Sequence, residues 1–252
     1  MYREAIVRLQ RWKEDKYRKP LIVRGARQVG KTWLLKEFGR TSYAQTVYVN
    51  FEETPVLQHI FSTDFSIERI IAALQIHAKT TISAEDTLIV FDEIQSAERG
   101  VTSLKYFCEN APEYHIIAAG SLLGMGLHGG VSFPVGKVDF LDLRPLSFHE
   151  FLLSINESGL AEALRARKWD VIALFSEKLI NYLRYYIYIG GMPEVVNAFA
   201  ETGDWQLVRH IQNRILHSYE ADFSKHAPNE TVPRIRMVWQ SIPSQLAKEN
   251  KK

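Results

Sequence analysis

Gly25-Ala26-Arg27-Gln28-Val29-Gly30-Lys31-Thr32 fits G-x-x-x-x-G-K-[ST], and each position of that pattern has a physical task. The glycines let backbone N–H groups converge on phosphate oxygens, a lysine neutralises β/γ-phosphates, and a Thr hydroxyl ligates Mg²⁺ where a helix begins and its dipole favours anions. The flanks agree with this reading. Pro20-Leu21-Ile22-Val23-Arg24 is a short apolar run suited to a buried strand, while Thr32 to Phe38 carries apolar residues at helical spacing, closed by Gly39. The order strand, glycine loop, helix predicts a phosphate-binding loop. Its candidate contacts are Gly25, Ala26, Arg27, Gln28, Val29, Gly30, Lys31 and Thr32, with Trp33 from the first helical turn.

Before the loop, an amphipathic helix is expected across residues 2–17, where Ile6, Leu9 and Trp12 lie among charges. After the loop and its helix, strands are expected at 46–51, 88–91, 115–120 and 138–143, with helices near 66–79 and 101–111 between them. Strand and helix in alternation predict an α/β fold, a parallel sheet flanked by helices, with ligand at the carboxyl ends of the strands. Beyond residue 147 the strand signal fades. Residues 148–155, 171–188 and 205–219 read as helices, with Gly190-Gly191-Met192-Pro193 a tight break and Pro193 placed to open the helix after it. Pro228, Pro233 and Pro243 read as polar breaks near the end, without a closing core element.

The second half of a hydrolytic site is Leu88-Ile89-Val90-Phe91-Asp92-Glu93. At the end of a buried strand, Asp92 can hold Mg²⁺ and Glu93 can orient and activate a water. A water-activating carboxylate favours hydrolysis over transfer to a substrate hydroxyl. Gly120-Ser121 ends the next strand, and Ser121 is a candidate polar sensor of the γ-phosphate or the water; a serine capping a turn is the plainer alternative. Gly124-Met125-Gly126-Leu127-His128-Gly129 satisfies G-x-G-x-x-G, but residues 131–136 cannot begin the helix a dinucleotide site requires, so a loop is expected there.

Composition narrows the class. The chain of 252 residues is 46% hydrophobic and 24% charged with a net charge of +2, enough for a full core and giving no global argument for nucleic acid. Arg3, Arg8, Arg11, Lys13, Lys16, Arg18, Lys19, Arg24 and Arg27 make the first 27 residues basic; a solvated helix face is the expectation, with DNA contact as the sharper alternative. The single Cys108, beside Tyr106 and Phe107, excludes an internal disulfide and suggests a buried thiol in a reducing compartment. The histidines show no zinc spacing and read as surface or packing residues. No run reaches the ~18 apolar residues of a membrane span, which places the protein in the cytoplasm.

Together with Arg24 to Thr32, the segments Phe91-Asp92-Glu93-Ile94-Gln95, Gly120-Ser121, Leu143-Arg144-Pro145-Leu146-Ser147-Phe148-His149-Glu150-Phe151 and Gly190-Gly191-Met192-Pro193-Glu194 resemble the prokaryotic AAA-type P-loop ATPases paired with a C-terminal domain of unknown function, DUF4143. The resemblance implies a P-loop NTPase core of AAA/ASCE-like type over residues 1–147, a small helical lid over 148–222, and over 223–252 the start of a truncated, winged-helix-like C-terminal region. Where that family commonly shows Gly-Arg before the fifth strand, this chain has Gly136-Lys137; lysine keeps the charge and loses the planar fork of an arginine finger. Arg144 is then the alternative source.

Three functions share these residues. The first is a Mg²⁺-dependent ATPase that binds and hydrolyses ATP to drive a switch or motor movement passed to the C-terminal region, with DNA and further copies of the chain, as a homo-oligomer, as candidate partners. The second is a nucleotide-gated binding module with little turnover. The third is a small-molecule P-loop kinase, for which Arg165 and Arg167 would have to serve as a cationic lid.

Overall fold

The computed structural model describes residues 2–121, 134–226 and 230–246. Five strands, β1 (Leu21–Gly25), β2 (Gln45–Asn50), β3 (Thr87–Asp92), β4 (His115–Ser121) and β5 (Asp139–Asp142), form one sheet in the order β2-β3-β4-β1-β5. Every neighbouring pair is parallel. β4 therefore lies between the strand that enters the glycine loop and the strand that ends in Asp92, giving the P-loop α/β architecture expected. Helices α1 (Ala5–Glu14), α2 (Lys31–Ser42), α3 (Ile67–Ala78) and α4 (Gly100–Asn110) supply its two covering layers.

The period of two along the strands sorts the core. Ile22, Val47, Val49, Ile89, Phe91, Ile116 and Ala118 pack in one buried cluster with Ile70 and Leu74 of α3 and Leu104 and Phe107 of α4. The alternate residues Leu21, Val23, Leu88, Val90, Ile117 and Ala119 pack in a second cluster with Leu9 and Trp12 of α1 and Leu34, Leu35 and Phe38 of α2. Both faces of the sheet are thus apolar, the condition for a parallel sheet covered on both sides.

Two expectations about α2 and α1 need correction. Gly39 does not end α2; the helix continues to Ser42, and Gly39 is buried within it. A Cβ there would fall 2.2 Å from Thr46 Oγ1, so the glycine serves the close approach of helix to β2 rather than a helix stop. Nor is the basic N-terminal stretch wholly solvated, because Arg3 is only 3% exposed. Cys108 is half-buried rather than fully enclosed.

At the start of β4, His115 is buried beside Tyr43, whose hydroxyl lies 2.6 Å from Nδ1, and Trp12, whose ring meets it edge-on. Burial holds the Tyr43 phenol protonated, so it donates and the imidazole accepts. Burial first, then the positive charges of Arg18 and Lys13, push the His115 imidazole down to about 4. The unfolded chain, with an imidazole near ~6.5, binds more protons than the folded chain between those two values. Stability from this group is therefore complete above about pH 6.5 and is lost as pH falls toward 4. Between pH 7.5 and pH 5 the loss should be about 2 kcal/mol. Urea unfolding at both values, with His115→Gln alongside, checks it; an equal pH dependence in the variant would assign the loss to other groups.

After the sheet, α5 (Phe148–Ser154), α6 (Ser158–Arg165), α7 (Trp169–Leu174) and α8 (Ser176–Ile189) follow. The single helix expected across 171–188 is thus two, broken at Phe175, and α6 is an element the periodicity did not reveal. Leu152, Leu160, Ala161 and Leu179 form a separate small core for these helices. α9 (Pro193–Thr202) opens at Pro193 as expected.

Contacts divide the chain into residues 1–197 and 198–252. In the second unit, α10 (Trp205–His226) precedes α11 (Val232–Leu246), and Trp239 of α11 lies against Tyr219 and Phe223 of α10 with ring centroids 6.1 and 5.4 Å apart. α11 runs through both Pro233 and Pro243. A proline in the first turn loses no helical hydrogen bond, and Pro243, a turn from the end, removes one donor without ending the helix. The Gly124–Gly129 run and residues 131–133 of the loop expected after it lie outside the described residues, as does Pro228.

Candidate nucleotide site

The glycine loop gets its shape from two left-handed residues. Gln28 has φ 61° and Gly30 φ 93°, the second in a region where side chains are disfavoured. Gly30 is the N-cap of α2 and brings no capping side chain, so the first-turn N–H groups of Lys31, Thr32 and Trp33 lack helical acceptors and point out from the positive end of the helix dipole. The Leu34 N–H to Gly30 carbonyl bond, 3.0 Å, closes the first turn.

Lys31 turns its ammonium back into the loop. Nζ donates to the carbonyls of Gly25 and Ala26, both at 3.0 Å, leaving the third N–H of the ammonium for an anion. Burial holds the Lys31 ammonium below the usual lysine range, and the nearby carboxylates of Glu93 and Asp92 oppose that shift. A poorly solvated cation beside N–H donors is a strong binder of phosphate oxygen.

The acidic strand ends at the same edge of the sheet. In register, Gly25 lies opposite Ser121, and Asp92 opposite Asn50. Asp92 is 2% exposed; its Oδ2 accepts from the Thr32 hydroxyl at 2.8 Å and from the Tyr48 hydroxyl at 2.6 Å, and its Oδ1 accepts from the Glu93 N–H at 3.0 Å. Glu93 leaves the strand with φ 49°, which swings its side chain away from the line of β3, where Oε2 accepts from Gln95 Nε2. The two adjacent carboxylates therefore occupy different surroundings, one sealed under Thr32 and one in the cleft.

That cleft, about 420 Å³, is lined by Arg27, Gln28, Gly30, Lys31, Thr32, Glu52, Glu93, Pro193 and Glu194. Of the candidate loop residues, Val29 is buried below it and Trp33 is half-exposed on α2. Lys137 ion-pairs with Glu109, Nζ to Oε1 2.9 Å, and the Arg144 side chain is exposed. Ser121 ends β4.

Sequence reading missed several of these neighbours. Arg3 donates from Nη1 to the Val29 carbonyl at 3.0 Å, from Nη2 to the Arg144 carbonyl at 2.6 Å, and from Nε to Glu150 Oε1 at 3.2 Å. Glu150 also accepts from the backbone N–H groups of Glu4 and Ser147, both at 2.8 Å, the latter bond completing the Ser147 capping box of α5. The Pro-Leu-Ser-Phe-His-Glu-Phe segment thus acts through Glu150 and Arg3 as a clamp under the P-loop. The Gly-Gly-Met-Pro-Glu segment joins it, since the Leu146 N–H donates to the Gly191 carbonyl at 2.7 Å and the Tyr186 hydroxyl to the Leu146 carbonyl at 2.6 Å. Those bonds deliver Pro193 and Glu194 to the cleft.

The donor set fits Mg²⁺. Thr32 Oγ1 and Asp92 are hard oxygen ligands that already touch, and Mg²⁺ is commonly held by one or two such groups with waters and substrate phosphates completing its shell. Among the described residues no group of three or more His, Cys, Asp or Glu could hold a metal on its own. None of their helices is long and apolar enough to cross a membrane.

Comparison with known proteins agrees in part. A family model described as AAA domain matches residues 17–152. A second, a domain of unknown function called DUF8612, matches residues 180–252, where the sequence resemblance implied DUF4143. No curated protein matches. Among solved structures, AMPPCP-bound DnaA from Aquifex aeolicus is 14% identical with a TM-score of 0.47, over 85% of this chain and 65% of that one. C. elegans PCH-2 is 16% identical with a TM-score of 0.36, over 65% and 46%, and Drosophila ORC bound to DNA is 14% identical with a TM-score of 0.43, over 98% and 67%. The chain thus spans less than two thirds of the length of the first two, and all three likenesses are distant.

Proposed function

Since the chain belongs to the AAA domain family over residues 17–152, we propose that it binds and hydrolyses ATP with Mg²⁺ and that turnover drives a conformational change passed to its C-terminal region. The observation that carries this reading is the meeting of Thr32 Oγ1 with Asp92 Oδ2 at 2.8 Å, beside the buried Lys31, at the carboxyl ends of two strands of one sheet. Gly25 to Trp33 hold the phosphates through backbone N–H groups and Lys31. Thr32 and Asp92 would hold Mg²⁺, which would supply charge neutralisation to the phosphate oxygens. Glu93 accepts a proton from the attacking water, and Ser121, opposite Gly25, senses the γ-phosphate.

Residues 1–147 form the ATPase core in this proposal and 148–222 the lid. Pro193 and Glu194 in the cleft support it, because they follow the lid helices α5 to α8 and would register whether the cleft is filled. Residues 223–252 lie in the region that receives the movement. DNA is a partner to be tested with the basic N-terminal stretch in view, as is assembly into a homo-oligomer.

Lys31→Ala is expected to lower ATP affinity about 30- to 100-fold, the loss of about 2–3 kcal/mol of charge-assisted bonding. Titration with a fluorescent ATP analogue checks this, and an affinity within threefold of the parent would remove Lys31 from the phosphate site. Phosphate release measured with and without DNA, at two salt concentrations, then tests the motor reading: stimulation that weakens with salt supports it.

A further inference from the structure

Asp92 is more heavily bonded than a simple metal ligand needs to be. A carboxylate offers about four lone-pair sites, and three are taken by the Glu93 N–H, the Thr32 hydroxyl and the Tyr48 hydroxyl. The first two belong to the machinery already described. The third comes from β2, where Tyr48 lies opposite Val90 in the register of β2 with β3. At 2.6 Å it is the shortest of the three.

The arrangement brackets one oxygen. Oδ2 receives Thr32 from α2 and Tyr48 from β2, two elements on separate stretches of chain. The terminal torsion of an aspartate is broad and roughly two-fold, so a single donor would leave the carboxylate free to rock about its axis. A second donor from another element removes that freedom. The Tyr48 ring is itself held, with the Lys36 ammonium 4.5 Å from its centroid.

We propose that Tyr48 is a positioning residue for the divalent cation: its hydroxyl fixes the Asp92 carboxylate so that the remaining lone pair is presented to the cation. The proposal rests on the Mg²⁺–ATP reading above. Groups that orient a metal-binding side chain commonly matter 10- to 100-fold in metal affinity. Tyr48→Phe removes the hydroxyl alone and keeps the ring beneath Lys36, so the packing of β2 is preserved.

The test is binding of a fluorescent ATP analogue to the whole chain, in EDTA and across a Mg²⁺ titration, for the parent, Tyr48→Phe, Asp92→Asn and the double variant. Tyr48→Phe should bind within about twofold of the parent in EDTA, while the Mg²⁺ concentration giving half of the metal-dependent gain rises about tenfold. With Asp92→Asn already present, removing the hydroxyl should add less than about twofold, because the two residues act through one contact. An unchanged Mg²⁺ midpoint overturns the proposal, as does an equal loss in EDTA or an undiminished effect beside Asp92→Asn, since each would mark a merely structural tyrosine. If the parent itself binds no ATP with Mg²⁺, the ATP reading falls as well; if the parent binds and Tyr48→Phe matches it, only the role of Tyr48 falls.

Discussion

Glu93→Gln should retain ATP and Mg²⁺ while losing turnover by about 10²- to 10⁴-fold, the range that removal of a general base covers. The substitution keeps the side chain's length, so its place in the cleft and its contact with Gln95 can be preserved while the proton acceptor is lost. Asp92, which the Glu93 backbone N–H holds through Oδ1, should be undisturbed, and with it the proposed metal site. The expected signature is therefore a split: affinity for a fluorescent ATP analogue in Mg²⁺ within a few-fold of the parent, and single-turnover phosphate release slowed at least 100-fold. Phosphate release within threefold of the parent would take the base role from Glu93. A parallel loss of affinity would instead show that the carboxylate matters for binding.

Arg3→Ala is expected to destabilise the first unit by about 3–5 kcal/mol, the cost of leaving one partner of a buried ion pair alone. Arg3 and Glu150 lie 3.2 Å apart with side chains 4% and 6% exposed, and Arg3 also satisfies the carbonyls of Val29 and Arg144. Removing it leaves a buried carboxylate and two acceptors without that donor. Glu150→Ala should cost a similar amount, because the N–H groups of Glu4 and Ser147 lose their acceptor along with the guanidinium. The double substitution should cost clearly less than the sum, since both act through one network. Urea unfolding of the three variants measures this, and a loss below about 1 kcal/mol for Arg3→Ala would place Arg3 among ordinary surface pairs. ATP affinity should fall in the same variants, because the Val29 carbonyl is part of the loop that turns the first-turn N–H groups of α2 outward.

The P-loop, the five strands and the acidic strand end were legible in the residues because each rests on a local rule. A glycine between strand and helix, a run of β-branched residues, and a carboxylate after Leu88-Ile89-Val90-Phe91 all report their conformation within a few positions. Helix ends were less legible. Gly39 carries the mark of a helix stop, yet the same missing side chain also permits a close approach, and only the position of Thr46 distinguishes the two. Pro233 and Pro243 carry the mark of a break, which one position in the first turn and another near the last turn do not enforce. Residues 148–189 show how short helices escape periodicity, since α6 and α7 have eight and six residues, too few turns for a clear apolar stripe.

The loop, its lysine and threonine, and the paired carboxylates could be read as a candidate site from the chain alone, because their spacing along it is their evidence. What holds that constellation in place comes from segments far apart in the chain. Arg3 and Glu150 are 147 positions apart, and nothing in a basic N-terminus distinguishes the arginine that is buried from those that are solvated. Tyr48 and Asp92 meet because β2 pairs with β3, and a tyrosine in a strand has no local sign that its hydroxyl faces a carboxylate. Binding motifs are legible because backbone geometry confines them to neighbouring residues; their supports come from elsewhere in the chain because a buried charge needs whichever partner the packing brings to it.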